Sequence, residues 1–158
     1  MDARLNLFDS PVATKSLKHV IAASKVLAES TVPFATRELA LLRASQINGC
    51  SGCVDMHTKE LAHAGESSTR INLVAAWREA TVFTDAERAA LELTEQGTRI
   101  ADAAGGVSDA VWANAAKHFD ENELAALVCA IALINAFNRV NVMLQHRATG
   151  DYQPGQHG

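Results

Sequence analysis

The chain has 158 residues, nearly half of them apolar but only 5% aromatic, and a formal net charge of −4. That length suits a single domain with a buried core, and the abundance of Ala and Leu favours packed helices over a β-sandwich. Acidic and basic residues are interspersed without a basic stripe, which argues against a nucleic-acid-binding protein.

Gly, Pro and capping residues divide the chain into helical segments. A first amphipathic helix is predicted over residues 14–30. Pro33 suits the first turn of a second helix, which should end at Asn48-Gly49. A third helix is predicted over residues 51–64, with a glycine directly after it.

The later helices are predicted from their N-terminal caps. Ser67 or Ser68 caps one short helix, and Ser108 caps another. Thr84 with Glu87 opens a helix that reaches Ile100, and Asp120 with Glu123 opens the last long helix. The last helix is apolar on almost every side, so we expect it to lie centrally. In so small a chain, such a helix also suggests a subunit interface and therefore a homo-oligomer.

No alternating strand pattern, linker or short repeat is found. We therefore expect one all-α domain over residues 1–149, followed by a flexible tail over residues 150–158 that is rich in Gly, Gln and His.

The sequence favours a cytoplasmic protein that is not in a membrane. The start, Met1 to Arg4, has no charged segment followed by a long apolar run, so we expect no signal peptide. The most apolar segment, residues 124–137, is interrupted by Asn135, which favours a buried core helix over a membrane span. In the cytoplasm a cysteine pair is more often catalytic or metal-binding than structural.

The most informative segment is residues 38–57, ELALLRASQINGCSGCVDMH. Cys50 and Cys53 form a CxxC motif at a predicted helix start, where unpaired N–H groups and a partial positive charge favour thiolate over thiol. A disulfide across so short a loop contributes only about 2 kcal/mol before strain. The pair therefore makes better sense as a bond that is formed and broken.

His57 and Glu38 can serve this cysteine pair. His57 follows Cys53 by one helical turn, so it can accept the thiol proton or pair with the thiolate. Glu38 can reach the site only if the second and third helices pack antiparallel across the Asn48-Gly49 turn. It could then orient His57 or relay its proton, directly or through a water.

The same residue types are compatible with zinc. Cys50, Cys53 and His57 could supply three ligands, with Glu38 or His63 as the fourth, although no second CxxC or His-x-His cluster closes the site. Haem attachment is excluded, because the residue after the second cysteine is not His.

Other side chains are expected to be structural. Cys129 lies in the most apolar helix and is predicted to be a core residue and not a third redox thiol. His63 is predicted to lie on the surface, and Trp77 and Trp112 to be packing residues. The last helix also contains three polar residues, Asn135, Asn138 and Arg139. Their side chains need hydrogen-bond partners in the core or across a subunit boundary.

The pattern of a Glu, a gap of about one helix and then Cys-x-x-Cys-x-x-x-His resembles the AhpD-like branch of the carboxymuconolactone decarboxylase superfamily. The segments that carry the resemblance are SQINGCSGCVDMHTKELAHAGES, AAWREATVFTDAERAALELTE and INAFNRVNV, so it covers most of the chain. It implies an all-helical domain that assembles as a homo-oligomer, a trimer or hexamer by our expectation, and a hydroperoxidase without cofactor or metal.

The resemblance also implies residue roles. Cys53 is the peroxidatic thiol that attacks a hydroperoxide, and Cys50 is the resolving thiol that meets a thioredoxin-like, lipoyl or small-thiol reductant. Glu38 and His57 form the proton relay. The helix dipole alone would favour the opposite assignment, with Cys50 as the peroxidatic thiolate, because Cys50 should lie nearer the positive N-terminal end of the helix.

One position departs from the family pattern. The best-known peroxidase members have a second His immediately before the latter cysteine, and this chain has Gly52. The alternatives are therefore a CxxC redox protein or sensor without peroxidase activity, and a structural zinc module. The family's true decarboxylases lack the cysteine pair, which makes that activity the weaker enzyme hypothesis.

Overall fold

The computed structural model describes residues 3–103 and 105–155. These residues form α1 (Pro11–Ala28), α2 (Phe34–Asn48), α3 (Ser51–His63), α4 (Ser68–Leu73), α5 (Asp85–Thr98), α6 (Asp109–Ala115) and α7 (Glu121–Leu144). They contain no strand, which confirms the all-α prediction. The predictions made for the first two residues and for the last three residues of the tail lie outside the described residues.

The helix starts follow from the sequence chemistry. The capping boxes of Thr84 with Glu87 and of Asp120 with Glu123 are both formed. The first helix differs from prediction, because it begins at Pro11 and not at residue 14. Ser10 caps it by accepting the N–H of Ala13, and Pro11 occupies the first turn, where it needs no N–H partner.

The centre of the molecule is α2, which packs against α3, α5 and α7. One apolar cluster joins α5, α6 and α7, and a second joins α2, α3, α4 and α5. Trp77 belongs to the second cluster, as predicted. Trp112 is 45% exposed, so the prediction that it is a packing residue is wrong.

The expectation of a central α7 is only partly right. The helix packs along α2, α5 and α1, yet only 28% of its most apolar window is buried. Val128, Val142 and Met143 are exposed, because this chain covers only one stripe of a helix that is apolar all round. Cys129 lies on the exposed side, so its prediction as a core residue is wrong.

By length and composition α7 could cross a bilayer, with a mean hydropathy of 1.7 over the best window, and the expectation that no such segment exists is wrong. Asn135 and Asn138 nevertheless turn towards the other helices and are buried there. Arg139 donates to the Asn135 side chain at 2.9 Å. These polar contacts are those of a helix packed in a bundle.

The buried amides of α7 form a hydrogen-bond network with α2 and α5. Asn48 Nδ2 donates to Oδ1 of Asn135 at 3.0 Å and to Oδ1 of Asn138 at 2.9 Å. Asn138 donates in turn to Ser45 at 3.1 Å, and Asn135 donates to Thr98 at 3.1 Å. The expected partners therefore lie within the chain, and they fix α7 against the C-terminal end of α2.

After α7 the chain turns back along α3 as residues 146–155, which we call the C-terminal strap. The N–H of Ala148 donates to Ser51 Oγ at 3.1 Å, and Lys59 Nζ donates to the Gly150 carbonyl at 2.6 Å. Glu60 accepts hydrogen bonds from the Tyr152 hydroxyl and from a backbone N–H of the strap. The domain boundary and the flexibility of the tail stay predictions.

Candidate active site

Cys50 and Cys53 are joined by a disulfide, with sulfur atoms 2.25 Å apart and Cα atoms 5.4 Å apart. Gly49 ends α2 in the left-handed conformation with φ of 67°, which turns the chain directly into the motif. Cys50 is the N-cap of α3, and its sulfur accepts the N–H of Cys53 at 3.4 Å. Both cysteines are buried, at 1% and 2% exposure.

Glu38 and His57 meet beside the cysteines. The turn at Gly49 folds α3 back along α2, and Glu38 Oε2 lies 2.7 Å from His57 Nδ1. Both side chains are buried, and Arg37 lies 3.7 Å from the other oxygen of Glu38. The contact depends on the antiparallel packing that the sequence required. The catalytic roles of these residues stay predictions.

The other nitrogen of His57, Nε2, is buried and makes no hydrogen bond with the described residues. Since Nδ1 faces a carboxylate, Nε2 is the atom through which the ring can exchange a proton. No hydrogen bond joins it to either sulfur. In the disulfide form, His57 Nε2 is therefore left without a hydrogen-bond partner among the described residues.

Asn141 is a site residue that the sequence analysis missed. Its Nδ2 lies 3.3 Å from Cys53 Sγ and 3.8 Å from Cys50 Sγ. The spacing contained a signal, because Asn135, Asn138 and Asn141 recur every third residue in an otherwise apolar helix. That spacing places them along one side of α7, facing α2 and the cysteines.

A cavity of about 230 Å³ adjoins the disulfide, and its lining residues are Gly49, Cys50, Ser51, Asn141, Val142, Gln145, His146 and Arg147. Cys50 lines this cavity and Cys53 does not. A molecule entering it therefore lies against Cys50.

The C-terminal strap passes over Gly52. A Cβ atom placed on Gly52 would lie 3.6 Å from the carbonyl oxygen of His146, which is an ordinary van der Waals distance. A larger side chain at this position would therefore point towards the strap.

Glu60 holds the strap one turn beyond His57. Burial raises the pKa of the Glu60 carboxyl, but hydrogen bonds from Tyr152 and Gly155 and the charges of His63 and His57 lower it below its usual value overall. Burial and the bond to Glu60 raise the pKa of Tyr152 well above its usual value. At neutral pH the carboxylate is therefore ionised and the phenol protonated, as the hydrogen bond requires.

The zinc alternative finds little support in the described residues. They contain no group of three or more His, Cys, Asp or Glu side chains arranged to hold a metal ion. The sulfurs of Cys50 and Cys53 are bonded to each other, and His63 is exposed at the end of α3, as predicted for a surface residue.

The sequence profile of the carboxymuconolactone decarboxylase family matches residues 17–96. The uncharacterized protein YdfG of Bacillus subtilis is 34% identical over 148 residues, which cover 94% of this chain and 98% of YdfG. The chain belongs to the carboxymuconolactone decarboxylase family. The resemblance that was inferred from the Glu, CxxC and His pattern is thereby confirmed.

Solved structures place this family member in the AhpD-like branch. A protein of unknown function from Agrobacterium tumefaciens, described as a candidate AhpD antioxidant defence protein, matches with a TM-score of 0.86 and 36% identity over 92% of this chain and 97% of that one. The debrominase Bmp8 matches with a TM-score of 0.71 and 15% identity over 96% of this chain and 75% of that one, which shows a shared fold alone.

Proposed function

We propose that this AhpD-like protein is a thiol-dependent hydroperoxidase that cycles between a Cys50/Cys53 dithiol and a disulfide. The observation that carries the proposal is a disulfide-forming cysteine pair next to a buried Glu38–His57 hydrogen-bonded pair. Such an arrangement provides a nucleophile, a second thiol that closes a disulfide with it and a proton-exchanging group within about two helical turns.

In the oxidative half of the cycle, the Cys53 thiolate attacks the outer oxygen of a hydroperoxide and breaks the O–O bond. Cys53 becomes a sulfenic acid, and the departing alkoxide takes a proton from His57. The Cys50 thiolate then attacks the sulfenic sulfur. The oxygen leaves as hydroxide, which takes up the proton that the Cys50 thiol released on ionising, so that water and the disulfide form.

In the reductive half, an external thiolate attacks Cys50 and forms a mixed disulfide with it, while Cys53 leaves as a thiolate. The cavity beside Cys50 supports this order, because its lining includes Cys50 but not Cys53. A second thiol of the reductant completes the exchange. Thioredoxin-like, lipoyl and small-thiol donors all satisfy this scheme, which suits the reducing cytoplasm.

The proposal is tested by the consumption of tert-butyl hydroperoxide in the presence of dithiothreitol. Cys53→Ser should abolish turnover, whereas Cys129→Ser, which alters a cysteine on the exposed side of α7, should retain it. Undiminished turnover by Cys53→Ser would overturn the proposal.

The order of the cysteines is tested by trapping. In a Cys129→Ser background, Cys50→Ser protein treated with one equivalent of hydroperoxide should hold a sulfenic acid on Cys53, which dimedone captures for mass spectrometry. The Cys53→Ser protein should give no adduct. An adduct on Cys50 in that second variant would reverse the assigned roles.

A dithiol redox protein without peroxidase activity is the second candidate. It is favoured by the missing second His, since Gly52 provides no proton donor, and by the lack of a hydrogen bond between His57 and either sulfur. This candidate predicts a reversible disulfide with negligible hydroperoxide consumption, so the assay above separates the two functions.

A further inference from the structure

We propose that Asn141 is a catalytic residue of the dithiol–disulfide cycle, in which its side-chain amide stabilises the thiolate of Cys53. The amide nitrogen lies 3.3 Å from that sulfur and 3.8 Å from the sulfur of Cys50. The inference rests on the dithiol part of the proposed function and does not depend on a peroxide as the oxidant.

The two sulfurs have different hydrogen-bond donors. Cys50, at the helix N-terminus, accepts the backbone N–H of Cys53 at 3.4 Å. Cys53 lies three positions after this N-cap, and among the described residues its sulfur accepts a hydrogen bond from the Asn141 amide. A thiolate accepts hydrogen bonds and donates none, so its charge favours the orientation in which the amide N–H faces sulfur.

The position of Asn141 is fixed by the network below it. One and two turns earlier on α7, Asn138 and Asn135 accept hydrogen bonds from Asn48, which immediately precedes the Gly49 turn into the cysteine motif. The donor and the sulfur are therefore held by the same pair of helices. Because the site is largely buried, its low dielectric strengthens a hydrogen bond to a charged sulfur.

The amide acts in both directions of the cycle. When an incoming thiolate forms a bond to Cys50 sulfur, the Cys50–Cys53 bond breaks and its electron pair goes to Cys53, where Asn141 stabilises the new charge. When the reduced protein meets its oxidant, the same contact keeps Cys53 ionised. A leaving group with a lower pKa leaves faster, so reduction of the disulfide should be accelerated.

The test uses fully reduced protein in a Cys129→Ser background without any peroxide. The pH dependence of alkylation by iodoacetamide, read for Cys53 by mass spectrometry, gives the pKa of that thiol. In Asn141→Ala we expect this pKa to rise by about one pH unit. In Asn141→Asp, where a carboxylate of the same shape faces the sulfur, we expect a larger rise. The rate of disulfide reduction by dithiothreitol should fall several-fold in both.

Two control variants separate catalysis from structure. Asn122→Ala, at an exposed position in the first turn of α7, should change neither quantity. Leu127→Ala should lower the melting temperature, because Leu127 is a fully buried residue of α7, but it should leave the Cys53 pKa in place, because its apolar cluster contains neither cysteine.

An unchanged Cys53 pKa and reduction rate in Asn141→Ala would overturn the inference. A change matched by Leu127→Ala would do the same, since it would reflect loosening of α7. If the wild-type protein consumes no hydroperoxide but Asn141→Ala shows the expected pKa shift, the peroxidase proposal fails and this inference stands.

Discussion

Glu38 connects the imidazole of the site to the rest of the molecule. One of its oxygens contacts His57 Nδ1 at 2.7 Å, and the other lies 3.7 Å from Arg37. The first contact fixes the plane of the ring and leaves Nε2 as the nitrogen that exchanges protons. The pair therefore determines which nitrogen of His57 is left without a partner among the described residues.

Replacement of His57 should reduce the reaction with hydroperoxide. His57→Asn removes the proton donor to the departing alkoxide, so we expect the second-order rate constant to fall by roughly 10²-fold or more. Stopped-flow measurement of the loss of free thiols reports that constant. The matched control is His63→Asn, an exposed histidine at the end of the same helix, which should change it little. Equal rates in the two variants would contradict the role of His57.

The proximity of Glu38, Cys50, Cys53 and His57 could be predicted from the sequence, because it depends only on spacing along one helix and on the packing of two helices across one turn. Asn141 could not be assigned to the sulfurs in the same way. Its contact joins positions 88 and 91 residues apart, and only the angle between α7 and α3 brings them together. Cys129 was placed in the core because the composition of a helix does not reveal which of its faces is covered.

At the scale of elements, the turn between α2 and α3 places the cysteines. Gly49 has φ of 67°, and an added Cβ would meet no atom within 4 Å, so only the backbone conformation opposes a side chain there. Gly52, three residues later, lies within the first turn of α3 at a negative φ. The two glycines therefore provide a matched pair.

We expect Gly49→Ala to lower the free energy of unfolding by about 1–2 kcal/mol, because an L side chain disfavours the left-handed conformation. Gly52→Ala should leave it unchanged or raise it slightly, since Ala is the better helix former and the strap leaves van der Waals room. Urea denaturation measures both. Equal stability of the two variants would show that Gly49 is not under conformational restraint.

The C-terminal strap should respond to acid through Glu60. The folded-state pKa of this carboxyl lies below its usual value of 4.5, so its ionised form stabilises the docked strap above that pH. The stabilisation is lost as the pH falls through the lower, folded-state pKa. Docking of the strap should therefore weaken only in acid.

Tyr152→Phe removes one of the bonds to Glu60. We expect the pKa of Glu60 to rise towards its usual value, followed by NMR titration, and backbone hydrogen exchange in the strap to accelerate at neutral pH. Gln153→Ala is the control, because the Gln153 side chain bonds only to the strap itself. Unaltered exchange in Tyr152→Phe would show that the hydroxyl does not hold the strap.

Most helices could be predicted because their ends are encoded locally, in capping boxes and glycines. The exception is the start of α1, where Ser10 and Pro11 carry the signal but precede the first apolar repeat used to place the helix. The centrality of α7 could not be judged from its apolar character. How much of an apolar helix is covered depends on partners that lie elsewhere in the chain or in another subunit.

At the scale of the whole molecule, two helices leave apolar side chains uncovered. None of the residues of α1 is buried. The exposed apolar residues of α1 and α7 include Val12, Val26, Val128, Val142 and Met143. Uncovered apolar faces of this kind mark subunit interfaces in soluble proteins. We propose that copies of this chain associate through α1 and α7, as a trimer or hexamer.

Light scattering should then give a mass that is a multiple of the 16.9 kDa chain. Val128→Glu places a charge on the exposed side of α7 and should shift the protein towards monomers, because burial of an unpaired carboxylate opposes association. Asn122→Glu, an exposed polar position on the same helix, should preserve the assembly. A monomeric wild-type protein at micromolar concentration would contradict the proposal.

Cys50 is at once the N-cap of α3 and one half of the cysteine pair. A Cys50 thiolate is a stronger hydrogen-bond acceptor than a disulfide sulfur, because it carries a full negative charge at the positive end of the helix. The first turn of α3 is therefore more stable in the dithiol protein whenever the negative charge lies on Cys50 and not on Cys53. Thermodynamic linkage requires the converse, that an intact first turn of α3 favours reduction of the Cys50–Cys53 disulfide to the dithiol. The helix that aligns the two sulfurs thus also makes their bond a stronger oxidant.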